Sequence, residues 1–118
     1  MYIKLNKYII LTKKKIVITG GQGRFAQILK ANNTLPNISF PSKKELNILK
    51  VSSIRRYFKK NKPKYLIHSA ALSRPMNIHD KLITKSIDIN IIGTSNIVKI
   101  CSEFKVKLIY FSTGYVYE

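Results

Sequence analysis

Short apolar runs alternate with amphipathic stretches along most of this chain, and their spacing predicts strand and helix in turn. Ile16, Val17 and Ile18, followed by Thr19, form a β-branched run with lysines before it and glycines after it, the pattern of a buried strand. Phe25, Ile28 and Leu29 recur at helical spacing within 25–30, so the chain turns directly from strand into helix. Ile38, Ser39 and Phe40 predict a second strand, ended by Pro41. Within 51–60, Val51, Ile54 and Phe58 share one helical face, while Arg55, Arg56, Lys59 and Lys60 surround the other. Pro63 stops that helix, and Tyr65, Leu66 and Ile67 begin a third strand. A long helix is predicted over about 79–104, apolar at Leu82, Ile83, Ile87, Ile91, Val98 and Cys101, with Gly93 tolerated near its middle. Residues 107–111 supply the last strand. Such alternation implies an α/β fold, a parallel sheet with helices on both faces. Residues 1–14 show neither turn chemistry nor a clear amphipathic period and read as an extension ahead of one domain, 15–118. There is no internal repeat, and no linker marks a second domain.

Composition narrows this picture. A chain of 118 residues, 45% of them hydrophobic, supports a single core and speaks against global disorder. The formal charge of +17 invites a nucleic-acid reading, since lysines that neutralise phosphates release counterions. The lysines are scattered along the whole chain, however. A solvated basic surface is expected, with nonspecific polyanion binding and no specific nucleic-acid partner. No apolar run approaches the roughly 20 residues that cross a bilayer. The run at 8–11 is also shorter than the roughly 7–15 apolar residues of a signal peptide. No membrane partner and a cytoplasmic location are therefore expected. The lone Cys101 makes no internal disulfide framework. His68, His79 and Cys101 lack recurrent ligand spacing, so no metal site is expected, and His68 reads as a strand-end residue.

The candidate chemistry lies between the first strand and the first helix. Thr19-Gly20-Gly21-Gln22-Gly23-Arg24-Phe25-Ala26 occupies the place of a dinucleotide phosphate turn. The tight turn needs a residue free to take positive φ, which glycine supplies. Close approach of the backbone to a pyrophosphate needs a position without a side chain, and the following helix offers unpaired N–H groups and its positive dipole end. Ala26 is small enough to let that helix pack on the strand. No Gly-Lys-Ser/Thr closes the pattern, so it is not a P-loop.

Four further segments agree in order and distance with one known family. They are Glu45-Leu46-Asn47-Ile48, Lys64-Tyr65-Leu66-Ile67-His68-Ser69-Ala70-Ala71, the helix reading Asn90-Ile91-Ile92-Gly93-Thr94-Ser95-Asn96, and Phe111-Ser112-Thr113-Gly114-Tyr115-Val116-Tyr117. Together with Thr-Gly-x-x-Gly-x-x-Ala, these resemble the extended short-chain dehydrogenase/reductase family, and most of all its dTDP-4-dehydrorhamnose reductases. The resemblance covers roughly residues 15–118. It implies a Rossmann-type doubly wound parallel sheet, incomplete at its C-terminal side. It also implies an NAD(P)-dependent oxidoreductase acting on a nucleotide-activated 4-keto sugar. An epimerase or dehydratase on the same scaffold is the alternative within the family, and a non-catalytic nucleotide-binding module the alternative outside it. A homodimer of the full-length protein is left open.

Carried over by position, the resemblance implies that Gly20, Gly23, Arg24 and Phe25 line the pyrophosphate. Asn47 and Ile48 would sit beside the adenine, and Ala70, Ala71 and Leu72 beneath the ribose and nicotinamide. Asn90 would hold the helix geometry or a water near the site. Thr113 matches the catalytic Ser/Thr that hydrogen-bonds the substrate oxygen, with Ser112 competing for the role. Relatives that prefer NAD place an acidic residue at the end of the second strand. Here that stretch reads Phe40-Pro41-Ser42-Lys43-Lys44, and Ser42 and Lys43 suit a 2′-phosphate, so NADP is expected ahead of NAD. Arg74, in the loop after the third strand, is a candidate for a substrate phosphate. Two positions depart from the family: its aspartates are replaced by Asn47 and Gly114. The family's Tyr-x-x-x-Lys pair is absent, since no tyrosine here has a lysine four positions on. The chain alone is therefore expected to be inactive in hydride transfer.

Overall fold

The computed structural model describes residues 14–72 and 80–111. The extension assigned to 1–14 lies almost entirely outside them. Four described strands, β1 (Ile16–Thr19), β2 (Ile38–Ser39), β3 (Tyr65–His68) and β4 (Lys107–Tyr110), form one parallel sheet in the order β2-β1-β3-β4. The chain leaves β1 towards β2 and then returns across β1 to β3. The neighbouring strands β1 and β3 thus lie where the direction of winding reverses. In open α/β sheets a ligand crevice forms beyond the carboxyl ends of the strands at such a point. This is the Rossmann-type arrangement.

Right-handed crossovers follow from strand twist. The reversal therefore puts the helix after β1, α1 (Arg24–Asn32), on one face, and α2 (Val51–Asn61) and α4 (Thr94–Glu103) on the other. The second face holds the larger core. Val17 and Leu66 point there from the sheet and pack with Ile54 and Phe58 of α2 and Ile97, Ile100 and Cys101 of α4. On the first face Ile18 and Ala26 are fully buried. Phe25 and Ile28, which recur at helical spacing, are exposed on α1, and the small Ala26 marks the buried side of that helix.

The helix ends explain their own positions. No glycine follows α2; Lys62 takes the left-handed conformation (φ 48°) and its N–H bonds to Phe58 O at 2.8 Å before Pro63 forbids continuation. Lys105 (φ 55°) does the same after α4, where Val106 N–H reaches back to Cys101 O at 2.8 Å. Arg55 and Glu103 join α2 to α4 by an exposed bidentate ion pair of 2.9–3.1 Å.

The single helix expected over 79–104 is not what forms. Its described part is a short helix α3 (Ile83–Ile87), a π-helical segment Asp88–Gly93, and α4. Of the apolar positions expected there, Leu82, Ile83, Ile87, Ile91 and Val98 are exposed and Cys101 is buried. The segment carries two apolar stripes, and the one with Gly93, Ile97, Ile100 and Cys101 is buried. Polar side chains decide between them, because with this second stripe inward Asn90 reaches Leu72 in the segment after β3, Thr94 reaches His68 on β3, and Asn96 reaches Ile48 in the loop after β2. Gly93 is also more than tolerated. A Cβ there would lie 2.6 Å from Ile48 Cδ1.

Candidate functional site

The crevice expected at the β1/β3 reversal is present as an open cleft of about 260 Å³. Its floor is the glycine turn, and its walls are the loop after β2 and the segment that follows β3. Gly20 adopts φ +72°, and a Cβ on it would fall 2.8 Å from the Ala70 backbone. Two backbones meet there, so β1 and β3 can end side by side only around a glycine. Gly23 N–H then bonds to Gly20 O at 2.8 Å, and Gly23 itself is the extended residue (φ −73°, ψ 160°) that starts α1. Gln27 reaches back from α1 to Gly21 O at 2.9 Å and holds the turn from behind. The start of α1 has no side-chain cap and no acidic residue in its first turn, so its positive end stays available to an anion.

The wall after β2 is built by reciprocal capping. Ser42 N–H donates to the Glu45 carboxylate at 2.7 Å and Glu45 N–H to Ser42 Oγ at 3.3 Å. These bonds hold the Glu45 carboxyl below its usual range, through the backbone N–H of Ser42 first and its hydroxyl second. Asn47 is tied in three times: its N–H donates to Ser53 Oγ, its side chain accepts the Leu49 N–H and its carbonyl accepts the Lys50 N–H, all at 3.0 Å. Ile48 is seated against Gly93, and Asn96 donates to its carbonyl at 2.9 Å.

The end of β3 is held by a buried polar chain. Thr19 Oγ1 lies 2.7 Å from His68 Nδ1, and His68 Nε2 lies 3.0 Å from Thr94 Oγ1. Burial pushes the His68 pKa down to about 4, so the ring is neutral near pH 7. Farther along, the Asn90 amide accepts Leu72 N–H at 2.8 Å and donates to Leu72 O at 3.0 Å, pinning both polar groups of one residue.

Of the residues singled out in the sequence, Gly20, Gly23, Ser42, Lys43, Asn47, Ile48, Ala70 and Ala71 line this one cleft. Arg24 and Phe25 stand exposed beside it on the first turn of α1, where Phe25 meets Phe111 edge to face at 4.9 Å. Leu72 and Asn90 are bonded to each other at its far side and do not line it. Thr113, Ser112 and Arg74 lie outside the described residues. Sequence reasoning passed over Gln22, Leu46, Ser69 and Ile89, which also line the cleft, and it missed the role of Thr19. One of its features had a signal: Ser42-x-x-Glu45 is the spacing of a capping box. Burial pushes the Cys101 thiol up to about 11, which suits a core residue. Among the described residues no group of histidine, cysteine or carboxylate side chains is placed to hold a metal, and no helix is long and apolar enough to cross a membrane.

Known proteins share this architecture. Residues 14–118 match the family model of the RmlD substrate binding domain. No curated protein sequence matches the chain. Among solved structures, dTDP-4-dehydrorhamnose reductase from Bacillus anthracis in complex with NADP is similar over 88% of this chain, with 28% identity and a TM-score of 0.81. GDP-mannoheptose C4 reductase from Campylobacter jejuni with NADP bound is similar over 90%, with 25% identity and a TM-score of 0.78. The Campylobacter jejuni GDP-D-glycero-L-gluco-heptose synthase, solved in the presence of NADPH, is also similar over 90%, with 25% identity and a TM-score of 0.78. This chain spans 38%, 35% and 32% of those three chains. With the family model matched from residue 14 to residue 118 and the glycine turn standing at the reversal of the sheet, the chain belongs to the RmlD substrate binding domain family.

Proposed function

We propose that this chain is the NADP-binding part of a sugar-nucleotide reductase that reduces a 4-keto sugar nucleotide by hydride transfer. The observation that carries the reading is the cleft at the β1/β3 reversal, floored by Gly20 and Gly23 and open to the uncapped start of α1. Its residues fit a dinucleotide. Gly23 lines the cleft without a side chain, and its Cβ direction meets Gly20 O at 3.1 Å, so a larger residue would press on the turn as well as fill the space that a pyrophosphate uses. Asn47 and Ile48 form an edge suited to a flat base, and Ala70 and Ala71 leave the path over the end of β3 clear. Bound there, the cofactor supplies the hydride. Thr113, following β4 in sequence, would hydrogen-bond the substrate oxygen. The three similar structures described above are two reductases and a synthase of nucleotide-linked sugars, which supports that substrate class.

The preference for NADP follows from the wall after β2. Lys43 lines the cleft, and the first carboxylate after β2, Glu45, is engaged by the Ser42 N–H. A ribose 2′-hydroxyl therefore lacks its usual acidic acceptor, whereas a 2′-phosphate gains a cation and the Ser42 hydroxyl. Lys43→Ala should lower NADPH affinity about tenfold, the lower range for a lost charge-assisted hydrogen bond. NADH affinity should stay unchanged. Calorimetric titration with both cofactors checks this, and an equal loss for both would remove Lys43 from 2′-phosphate recognition.

Gly23→Val tests the reading itself. The extended backbone at Gly23 accepts a β-branched residue, and a Cβ 3.1 Å from Gly20 O asks the turn to give by only a few tenths of an ångström, so the fold should persist while the side chain fills the pyrophosphate space. NADPH affinity should fall more than a hundredfold, about 2.7 kcal/mol or more. Unchanged affinity in a folded Gly23→Val protein would sink the assignment of the cleft.

A further inference from the structure

The buried chain Thr19–His68–Thr94 touches the cleft only at Thr19, yet its bonds converge on the backbone that the cleft depends on. Thr19 Oγ1 accepts the N–H groups of Ser69 at 3.2 Å and Ala70 at 3.3 Å. Those two donors use both hydroxyl lone pairs. The hydroxyl proton then has one place to go, His68 Nδ1 at 2.7 Å, so Nδ1 is the acceptor and the ring carries its proton on Nε2. That N–H donates to Thr94 Oγ1 at 3.0 Å. Direction is therefore set along the whole chain, from β1 through β3 to α4. Ser69 Oγ adds a bond to Thr19 O at 2.6 Å, and the Tyr110 ring stacks on the imidazole at 5.9 Å.

The backbone held in this way is the one that Gly20 abuts. Ala70 N and Cα lie 2.8 Å from where a Gly20 Cβ would be, so the two segments meet without slack. β3 ends at His68, and the N–H groups of residues 69 and 70 are anchored by a threonine hydroxyl. We propose that His68 is a positioning residue for the dinucleotide cleft: it orients the Thr19 hydroxyl and links it to Thr94, and so fixes Ser69 and Ala70 against the glycine turn. This rests on the reading of the cleft as a dinucleotide site.

The test compares variants that keep different parts of the chain. His68→Asn keeps an oxygen near Nδ1 to accept the Thr19 proton. His68→Gln keeps an amide N–H near Nε2 for Thr94, and His68→Phe keeps only the ring. Titration with NADPH at a temperature where all are folded should show about a tenfold loss for His68→Phe, most of it recovered by His68→Asn. Thr94→Val, which preserves shape, should give a smaller loss and guards against a misfolded His68 variant. Wild-type affinity in folded His68→Phe, or equal loss in Phe and Asn variants, overturns the proposal. Amide hydrogen exchange at Ser69 and Ala70 gives a readout that needs no ligand. It should quicken in His68→Phe and not in His68→Asn. Should the wild-type protein bind neither NADPH nor NADH, the functional reading falls and exchange alone decides the positioning role: unchanged exchange at both amides in His68→Phe refutes it.

Discussion

Gly20→Ala is expected to cost the fold roughly 2–5 kcal/mol, a large part of the about 5–15 kcal/mol that holds a domain together. Two effects add. At φ +72° an L-residue carries a steric penalty of about 1–2 kcal/mol, because its Cβ crowds the following carbonyl. The new methyl would also lie 2.8 Å from both N and Cα of Ala70, which are backbone atoms and cannot turn aside. Forcing such an overlap typically costs about 1–3 kcal/mol. Any relief must part β1 from β3 at the mouth of the cleft, so NADPH binding should be lost together with stability. Gly21→Ala is the control. Its Cβ would meet Phe40 Cβ at 3.3 Å, where a few tenths of an ångström of movement suffice. Denaturant unfolding of both variants checks the contrast, and a Gly20→Ala protein within about 1 kcal/mol of wild type would mean that the turn is far softer than its geometry.

Acidification from pH 6.5 towards 4 should remove up to about 3 kcal/mol of stability through His68 alone, at 1.36 kcal/mol for each unit by which its pKa is displaced. Burial moves this pKa from 6.5 down to about 4. Between those values the unfolded chain binds a proton that the folded chain refuses. Stability is thus fully present above pH 6.5 and declines as pH falls towards 4. The hydrogen bonds act in the same direction, since a charged imidazole donates from both nitrogens and has no acceptor for the Thr19 proton. Glu45 and Glu103 have pKa values lowered from 4.5, so their stabilising bonds to Ser42 and Arg55 are lost at still lower pH. The interval from pH 6.5 to 4.5 therefore lies above those carboxylate losses, and comparison with a His68 variant across it separates His68 from His79. Unfolding free energies across it should slope in wild type and flatten in His68→Asn; parallel slopes would show that His68 titrates normally.

How much of this was readable from the chain differs between elements. The strand at 16–19, the glycine turn behind it and the helix that follows were legible, because β-branched runs, positive φ and a helix start are local properties. So was the buried face of α2, where Ile54 and Phe58 stand opposite Arg55, Arg56, Lys59 and Lys60. The run from Leu82 to Cys101 was misread because periodicity reports that apolar stripes exist, and here there are two. Which stripe faces inward depends on Asn90, Thr94 and Asn96 finding Leu72, His68 and Ile48, and nothing within the helix encodes those partners. The π-helical segment beginning at Asp88 likewise has no local signature.

By itself, then, the sequence determined where the chain turns, which residues lack side chains at the turn, and that strands alternate with helices. Only the tertiary structure decided that Thr19 and His68, 49 positions apart, share a proton, and that Gly93 makes room for Ile48. It also decided that Asn96 reaches the Ile48 carbonyl, 48 positions away, and so ties the wall after β2 to α4. The physical reason is the sheet order. Placing β3 beside β1 brings the carboxyl ends of both strands to one point, and hydrogen bonds between distant residues can be chosen only after that pairing is made.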